Sequence, residues 1–83
     1  MKAVIYGKPI CGFCNKAEKL CKNNNIEYDY KIVGEDEDIT IDELIELVGK
    51  PIKTVPQIFL FHGDEREYIG GFTELKEKLK DFS

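Results

Sequence analysis

Nowhere do the 83 residues run apolar for anything near the roughly 18 positions that a membrane span requires. A transmembrane helix is not expected. The opening Met1-Lys2-Ala3-Val4-Ile5-Tyr6 is too short for the apolar region of a signal peptide, so a protein kept inside the cell, in the cytoplasm, is the expectation. Excess positive charge is also missing: 12 Lys and Arg against 16 Asp and Glu leave a net charge of −4. Without a basic run, nucleic acid and anionic membranes are poor candidate partners. Proteins and small molecules are better ones. Cysteine is scarce and odd in number, and Cys11, Cys14 and Cys21 all fall within one short stretch, which excludes the disulfide framework of a small secreted domain. Metal ligation, thiol chemistry or plain burial remain for them.

What is present suits one small folded domain covering residues 1–83, with 42% apolar and 34% charged side chains and no repeat or low-complexity segment. Ala3-Val4-Ile5-Tyr6 reads as a buried strand closed by Gly7, Lys8 and Pro9. From Gly12, the residues Cys14, Ala17, Leu20 and Cys21 recur at helical spacing, and Asn23-Asn24-Asn25 stops that helix. Ile26, Tyr28, Tyr30 and Ile32 then alternate with charged residues as a strand ending at Val33-Gly34. The acidic run Glu35-Asp36-Glu37-Asp38 reads as a solvated loop ahead of a second helix. Thr40 and Glu43 form its capping box, Ile39 and Leu44 its staple, and Ile41, Leu44, Ile45 and Val48 its buried stripe, with a stop at Gly49 and Pro51. Ile58-Phe59-Leu60-Phe61 and Glu67-Tyr68-Ile69 make a hairpin across the loop His62–Arg66, with His62 solvated. Gly70-Gly71 bends the chain, Thr73 caps a last helix, and Leu75, Leu79 and Phe82 form its core stripe. The order β-α-β-α-β-β-α predicts an α/β fold in which a parallel pair and an antiparallel hairpin share one mixed sheet.

Cys11-Gly12-Phe13-Cys14 falls where the first loop becomes the first helix. Unpaired N–H groups and partial positive charge at that point favour a thiolate over a thiol. Cys11, before the first turn, is the expected exposed nucleophile. Cys14, one helical turn on and more buried, is the expected resolving thiol. Lys8 adds a nearby positive charge. A zinc site would have to recruit Cys21, on the helix's apolar face, and His62, in a distant loop, and is disfavoured. Cys21 reads as a core thiol.

Lys8-Pro9-Ile10-Cys11-Gly12-Phe13-Cys14, Thr54-Val55-Pro56-Gln57-Ile58-Phe59 and Ile69-Gly70-Gly71-Phe72-Thr73-Glu74-Leu75 resemble, in order and spacing, the three signature segments of the glutaredoxins. Gly49-Lys50-Pro51 is similar to the small dithiol members from bacteria and phages. The resemblance covers essentially the whole chain and implies a thioredoxin-like fold, a four-stranded mixed sheet flanked by three helices. It further implies a glutathione-dependent thiol–disulfide oxidoreductase with Cys11 and Cys14 as its redox-active pair. Pro56 is expected in cis, with Val55 pairing against the cysteinyl backbone of glutathione. Backbone N–H groups of Phe72, Thr73 and Glu74, beyond Gly71, receive the γ-glutamyl carboxylate, and Glu74 takes the γ-glutamyl amino group. Lys8 and Gln57 match positions that hold the glycyl carboxylate, and Phe13 and Thr54 complete the implied site.

The resemblance also implies ribonucleotide reductase as a natural protein substrate, glutathione as reducing co-substrate, no required metal, a monomer, and a cytoplasmic location, that of the host if the source is a virus. Position 12 departs from the pattern: many dithiol members have Pro where this chain has Gly12. Small residues there are associated in the family with a glutathione-ligated [2Fe-2S] cluster held between two protomers, so a cluster carrier is the alternative function. Gly12-Phe13 also resembles the monothiol Cys-Gly-Phe-Ser class, against which stand Cys14 and the absence of Trp. A thioredoxin-type donor reduced by a flavoprotein fits the fold but not Thr73 and Glu74.

Overall fold

The structure is a computed structural model describing residues 1–80. The expected Phe82 contact lies outside the described residues. Seven elements follow in order: β1 (Lys2–Gly7), α1 (Gly12–Asn23), β2 (Glu27–Ile32), α2 (Ile41–Val48), β3 (Gln57–His62), β4 (Glu65–Gly70) and α3 (Phe72–Lys80). The strands form one sheet in the order β2-β1-β3-β4. β1 runs parallel to β2 and antiparallel to β3, and β3 pairs antiparallel with β4. This is the mixed sheet that the element order predicts.

Burial explains the two kinds of strand pattern. β1 and β3 are central, covered on both faces, and read as nearly unbroken apolar runs, whereas edge strand β2 alternates exposed and half-buried residues. Ala3, Ile5, Ile58 and Leu60 face Ala17 and Cys21 of α1 and Leu75 and Leu79 of α3, forming the core. On the opposite face Tyr6, Phe59 and Tyr68 make a row of aromatic contacts, with ring centroids 5.9 and 5.3 Å apart. Among the described residues no helix is long and apolar enough to cross a membrane.

Local signals set most element boundaries. Thr40 Oγ1 accepts the Glu43 N–H at 3.1 Å while Glu43 Oε1 accepts the Thr40 N–H at 3.1 Å, the reciprocal capping box. Gly49 ends α2 in the left-handed conformation, and Asn25 turns the chain after α1 at φ 57°. Four expectations need correction. Ile41 is exposed, because as the first residue of an eight-residue helix it points away from the face that buries Leu44. The β3–β4 loop is shorter than expected, Gly63 and Asp64 alone, because Glu65 and Arg66 pair with His62 and Phe61 in the ladder. His62 is therefore a strand residue, half-buried, with Nε2 3.2 Å from Glu67 Oε1. Thr73 lies inside the first turn of α3 and does not cap it; Glu74 Oε1 reaches back to accept the Gly71 N–H at 2.8 Å.

Candidate active site

The C-terminal end of β1, the N-terminal end of β3 and the C-terminal end of β4 lie at one rim of the sheet, and the site is built there. β1 stops at Gly7, and Lys8, Pro9 and Ile10 carry the chain to Cys11, the N-cap of α1. Cys11 is in extended conformation (φ −155°, ψ 116°) and its Sγ accepts the Cys14 N–H at 3.3 Å. The sulfur thus takes the place a capping oxygen usually fills, receiving a donor that the helix cannot satisfy itself. The N-terminus of α1, with its dipole and unpaired N–H groups, faces this sulfur.

Cys14 is fully buried. Burial first, and then its hydrogen bond with Cys11, hold its thiol above the ordinary range. Gly7 makes room for it: a β-carbon on Gly7 would stand 2.6 Å from Cys14 Sγ and 2.7 Å from the Tyr30 hydroxyl. Both cysteines are free thiols. Cys21, one helical repeat further on, is fully buried, and burial with the neighbouring Glu18 carboxylate pushes its thiol up to about 11.

Iodoacetamide labelling of the native protein is therefore expected to modify Cys11 first, Cys14 more slowly, and Cys21 only as the pH nears 11 or the protein unfolds. Mass spectrometry of the labelled peptides over a pH series checks the order. Equal rates at all three sulfurs would contradict it.

A groove of about 250 Å³ opens beside the start of α1, lined by Phe13, Thr54, Val55, Pro56, Gly71, Phe72, Thr73 and Glu74. Three segments distant in sequence meet in it. The Val55–Pro56 bond is cis, and the Pro56 carbonyl lies 3.6 Å from where a Gly71 β-carbon would be. Phe13, exposed, and Phe72 frame the groove with ring centroids 6.2 Å apart. At its far wall, Gly70 adopts φ +117°, where L side chains strain, and a β-carbon there would meet Glu74 Cγ and Oε1 at 3.1 Å. The first helical bond of α3 joins the Leu75 N–H to the Gly71 carbonyl at 3.0 Å. The N–H groups of Phe72, Thr73 and Glu74 precede that bond and leave the end of α3 as a donor set for an anion.

Two of the expected site residues, Lys8 and Gln57, do not line this groove. Lys8 Nζ donates to the Val33 carbonyl at 2.7 Å, tying the active loop to the end of β2. Gln57 is buried, donates from Nε2 to the Thr54 carbonyl at 2.7 Å and accepts the Tyr68 hydroxyl through Oε1. It braces the segment before Pro56 and lines a second depression of about 390 Å³ that includes Lys50, Lys53, Thr54 and Glu74. Lys50 figured in the sequence only within the Gly49-Lys50-Pro51 resemblance, with no site role, and Lys53 not at all. Their position around Pro51, just ahead of Thr54-Val55-Pro56, was the available signal.

A paired Cys-x-x-Cys at a helix N-terminus, on a sheet of order β2-β1-β3-β4 with a cis-proline loop alongside, defines a thiol–disulfide oxidoreductase of thioredoxin-like fold. The sequence profile described as Glutaredoxin matches residues 3–65. The chain is 43% identical over 86 residues to a glutaredoxin of Haemophilus influenzae, covering 98% of this chain and 93% of that protein. It is 34% identical over 85 residues to glutaredoxin 1 of Escherichia coli, covering 98% and 95%. Among solved structures, reduced Escherichia coli glutaredoxin superposes with a TM-score of 0.79 at 31% identity, over 98% of this chain and 95% of that one. A buckwheat glutaredoxin–glutathione complex gives 0.72 at 27% identity, over 96% and 69%. The chain belongs to the glutaredoxin family.

Proposed function

We propose that the protein uses glutathione as its electron donor to reduce protein disulfides and glutathione mixed disulfides, with Cys11 as nucleophile and Cys14 as resolving thiol. The observation that carries this reading is the groove: Phe13, two residues from Cys11, converges with Val55, Pro56 and the α3 N-terminus, offering an apolar wall, a strand-like backbone and an anion site in one trough. A tripeptide thiol with a carboxylate at each end suits that trough, and a structural relative is a glutaredoxin–glutathione complex.

In the dithiol route the Cys11 thiolate attacks one sulfur of the substrate disulfide, forming a mixed disulfide and expelling a thiolate that takes a proton from water. Cys14, as its thiolate, attacks Cys11 Sγ, releasing the second substrate thiol and leaving the Cys11–Cys14 disulfide. One glutathione thiolate then attacks Cys11 Sγ and frees Cys14, and a second attacks the bound glutathione sulfur to give oxidised glutathione. Two electrons leave two glutathione molecules and reduce one disulfide. The monothiol route needs only Cys11 and the last step. A ribonucleotide reductase disulfide is the proposed protein target, and a cytoplasmic monomer the proposed form.

The deciding experiment couples the protein to glutathione, glutathione reductase and NADPH with a small glutathionylated disulfide as substrate. Turnover supports the reading. A brown protein on anaerobic purification that turns over nothing would favour cluster carriage instead. Within the same assay Glu74 probes the γ-glutamyl contact. Glu74→Lys replaces an attraction for the amino group by a repulsion and should lower kcat/KM about 5- to 30-fold, chiefly through KM, corresponding to a lost charge-assisted hydrogen bond of about 1–2 kcal/mol. Glu74→Gln, which keeps an oxygen for the Gly71 N–H, separates this contact from the capping of α3. Equal slowing of glutathione and non-glutathione substrates by Glu74→Lys would show a helix-capping acid only.

A further inference from the structure

Cys14 is buried, yet the dithiol route requires it to carry negative charge twice: when it attacks Cys11 and when glutathione expels it. A buried anion needs donors. Two groups are placed to stabilise its thiolate by hydrogen bonding, the Lys8 backbone N–H and the Tyr30 hydroxyl. The first is fixed by the chain. The second converges with the sulfur on a single point, 2.7 and 2.6 Å respectively from the absent β-carbon of Gly7. In the reduced protein the Tyr30 hydroxyl gives its one proton to the Lys8 carbonyl at 2.5 Å.

We propose that Tyr30 is the positioning residue of the resolving step, its hydroxyl turning from the Lys8 carbonyl to donate to Cys14 Sγ whenever that sulfur is a thiolate. The inference rests on the resolving role of Cys14. Burial first, and then the nearby Cys14, Cys11 and Glu18, each an anion or able to become one, keep the phenol protonated and a donor throughout the working range. Glu18 is itself engaged by the Tyr28 hydroxyl at 3.0 Å, and Lys8 Nζ is turned to the Val33 carbonyl. Neither Glu18 nor Lys8 Nζ therefore competes for the position beside Cys14 that the Tyr30 hydroxyl can reach by turning.

Proton and electron balance hold without any further reagent. As Cys14 loses its proton to water, the Tyr30 O–H reorients; Sγ attacks Cys11 Sγ, the bond from Cys11 to substrate breaks, and the departing thiolate is protonated by water. In the reverse half the leaving Cys14 thiolate receives the same hydrogen bond before it is reprotonated.

The test is Tyr30→Phe, which keeps the ring and removes the donor. In the Cys11→Ser background, the ¹³Cβ shift of Cys14 followed against pH should show its titration displaced upward by about one unit. In the dithiol protein, single-turnover kinetics should show closure of the Cys11–Cys14 disulfide slowed about tenfold, while the preceding attack by Cys11 is not the step that slows. Difluorotyrosine at position 30, a more acidic donor of nearly the same shape, should shift both quantities the other way. An unmoved Cys14 titration, or equal slowing of both steps with the titration unchanged, overturns the proposal and leaves Tyr30 a packing residue. Failure of the underlying reading looks different: Cys14→Ser would then reduce protein disulfides undiminished, whatever the titration shows.

Discussion

Cys11→Ser is expected to leave a folded protein with no thiol-transfer activity above the background of glutathione alone. The fold should survive because the Cys11 sulfur is also the cap of α1, accepting the Cys14 N–H, and serine is among the best residues for that duty. An alanine there would forfeit the cap, at about 0.5–2 kcal/mol, so Cys11→Ala confounds chemistry with stability where Cys11→Ser does not. The activity should vanish because no other sulfur can substitute: Cys14 and Cys21 are fully buried and both thiols are pushed upward in pKa. The measurements are a thermal melt, expected unchanged, beside the glutathione-coupled assay, expected at background. Residual turnover above that background would move the nucleophile elsewhere.

The second large effect is selective. Cys14→Ser should retain removal of glutathione from protein thiols, which needs only Cys11, yet lose at least about tenfold in reduction of a protein disulfide, where an intramolecular thiol held one helical turn away competes against glutathione from solution. Serine is close in size to the thiol, and its hydroxyl can use the same surroundings, against Gly7 and the Tyr30 hydroxyl. The two assays run on one preparation decide it. Undiminished protein-disulfide reduction would mean that glutathione, and not Cys14, resolves the mixed disulfide.

How far the sequence reveals this molecule depends on how far apart the interacting residues lie. Thr40 and Glu43 are three residues apart, and their capping box is visible in the letters; so is the stop at Gly49. The central strands announce themselves by being apolar on both faces. Thr73 was misread because threonine is the more familiar cap, while the actual arrangement, a Gly71 N–H closed by Glu74, uses a residue with no side chain. Glu65 and Arg66 look like loop residues, but β4 is an edge strand and tolerates charge. The contacts of Lys8 with Val33, Gln57 with Tyr68 and Tyr30 with Lys8 span 25, 11 and 22 positions. Only the strand register brings those pairs together. The groove residues, by contrast, were legible because each of the three segments carries its own local pattern, whereas Lys53 carried none and Lys50 belonged to a segment with no site role attached.

The register also gives the molecule two unlike poles. Gly7, Gln57 and Gly70 stand at the rim that holds Cys11, whereas Lys2, Phe61, His62 and Glu65 pair at the other end of the same strands. The exposed Gly63-Asp64 turn therefore points away from the groove, a sheet's length from the reactive sulfur. Asp64 is a natural anchoring point: a dye, a bead or a surface tether attached there would present Cys11 outward, unobstructed, to whatever disulfide approaches.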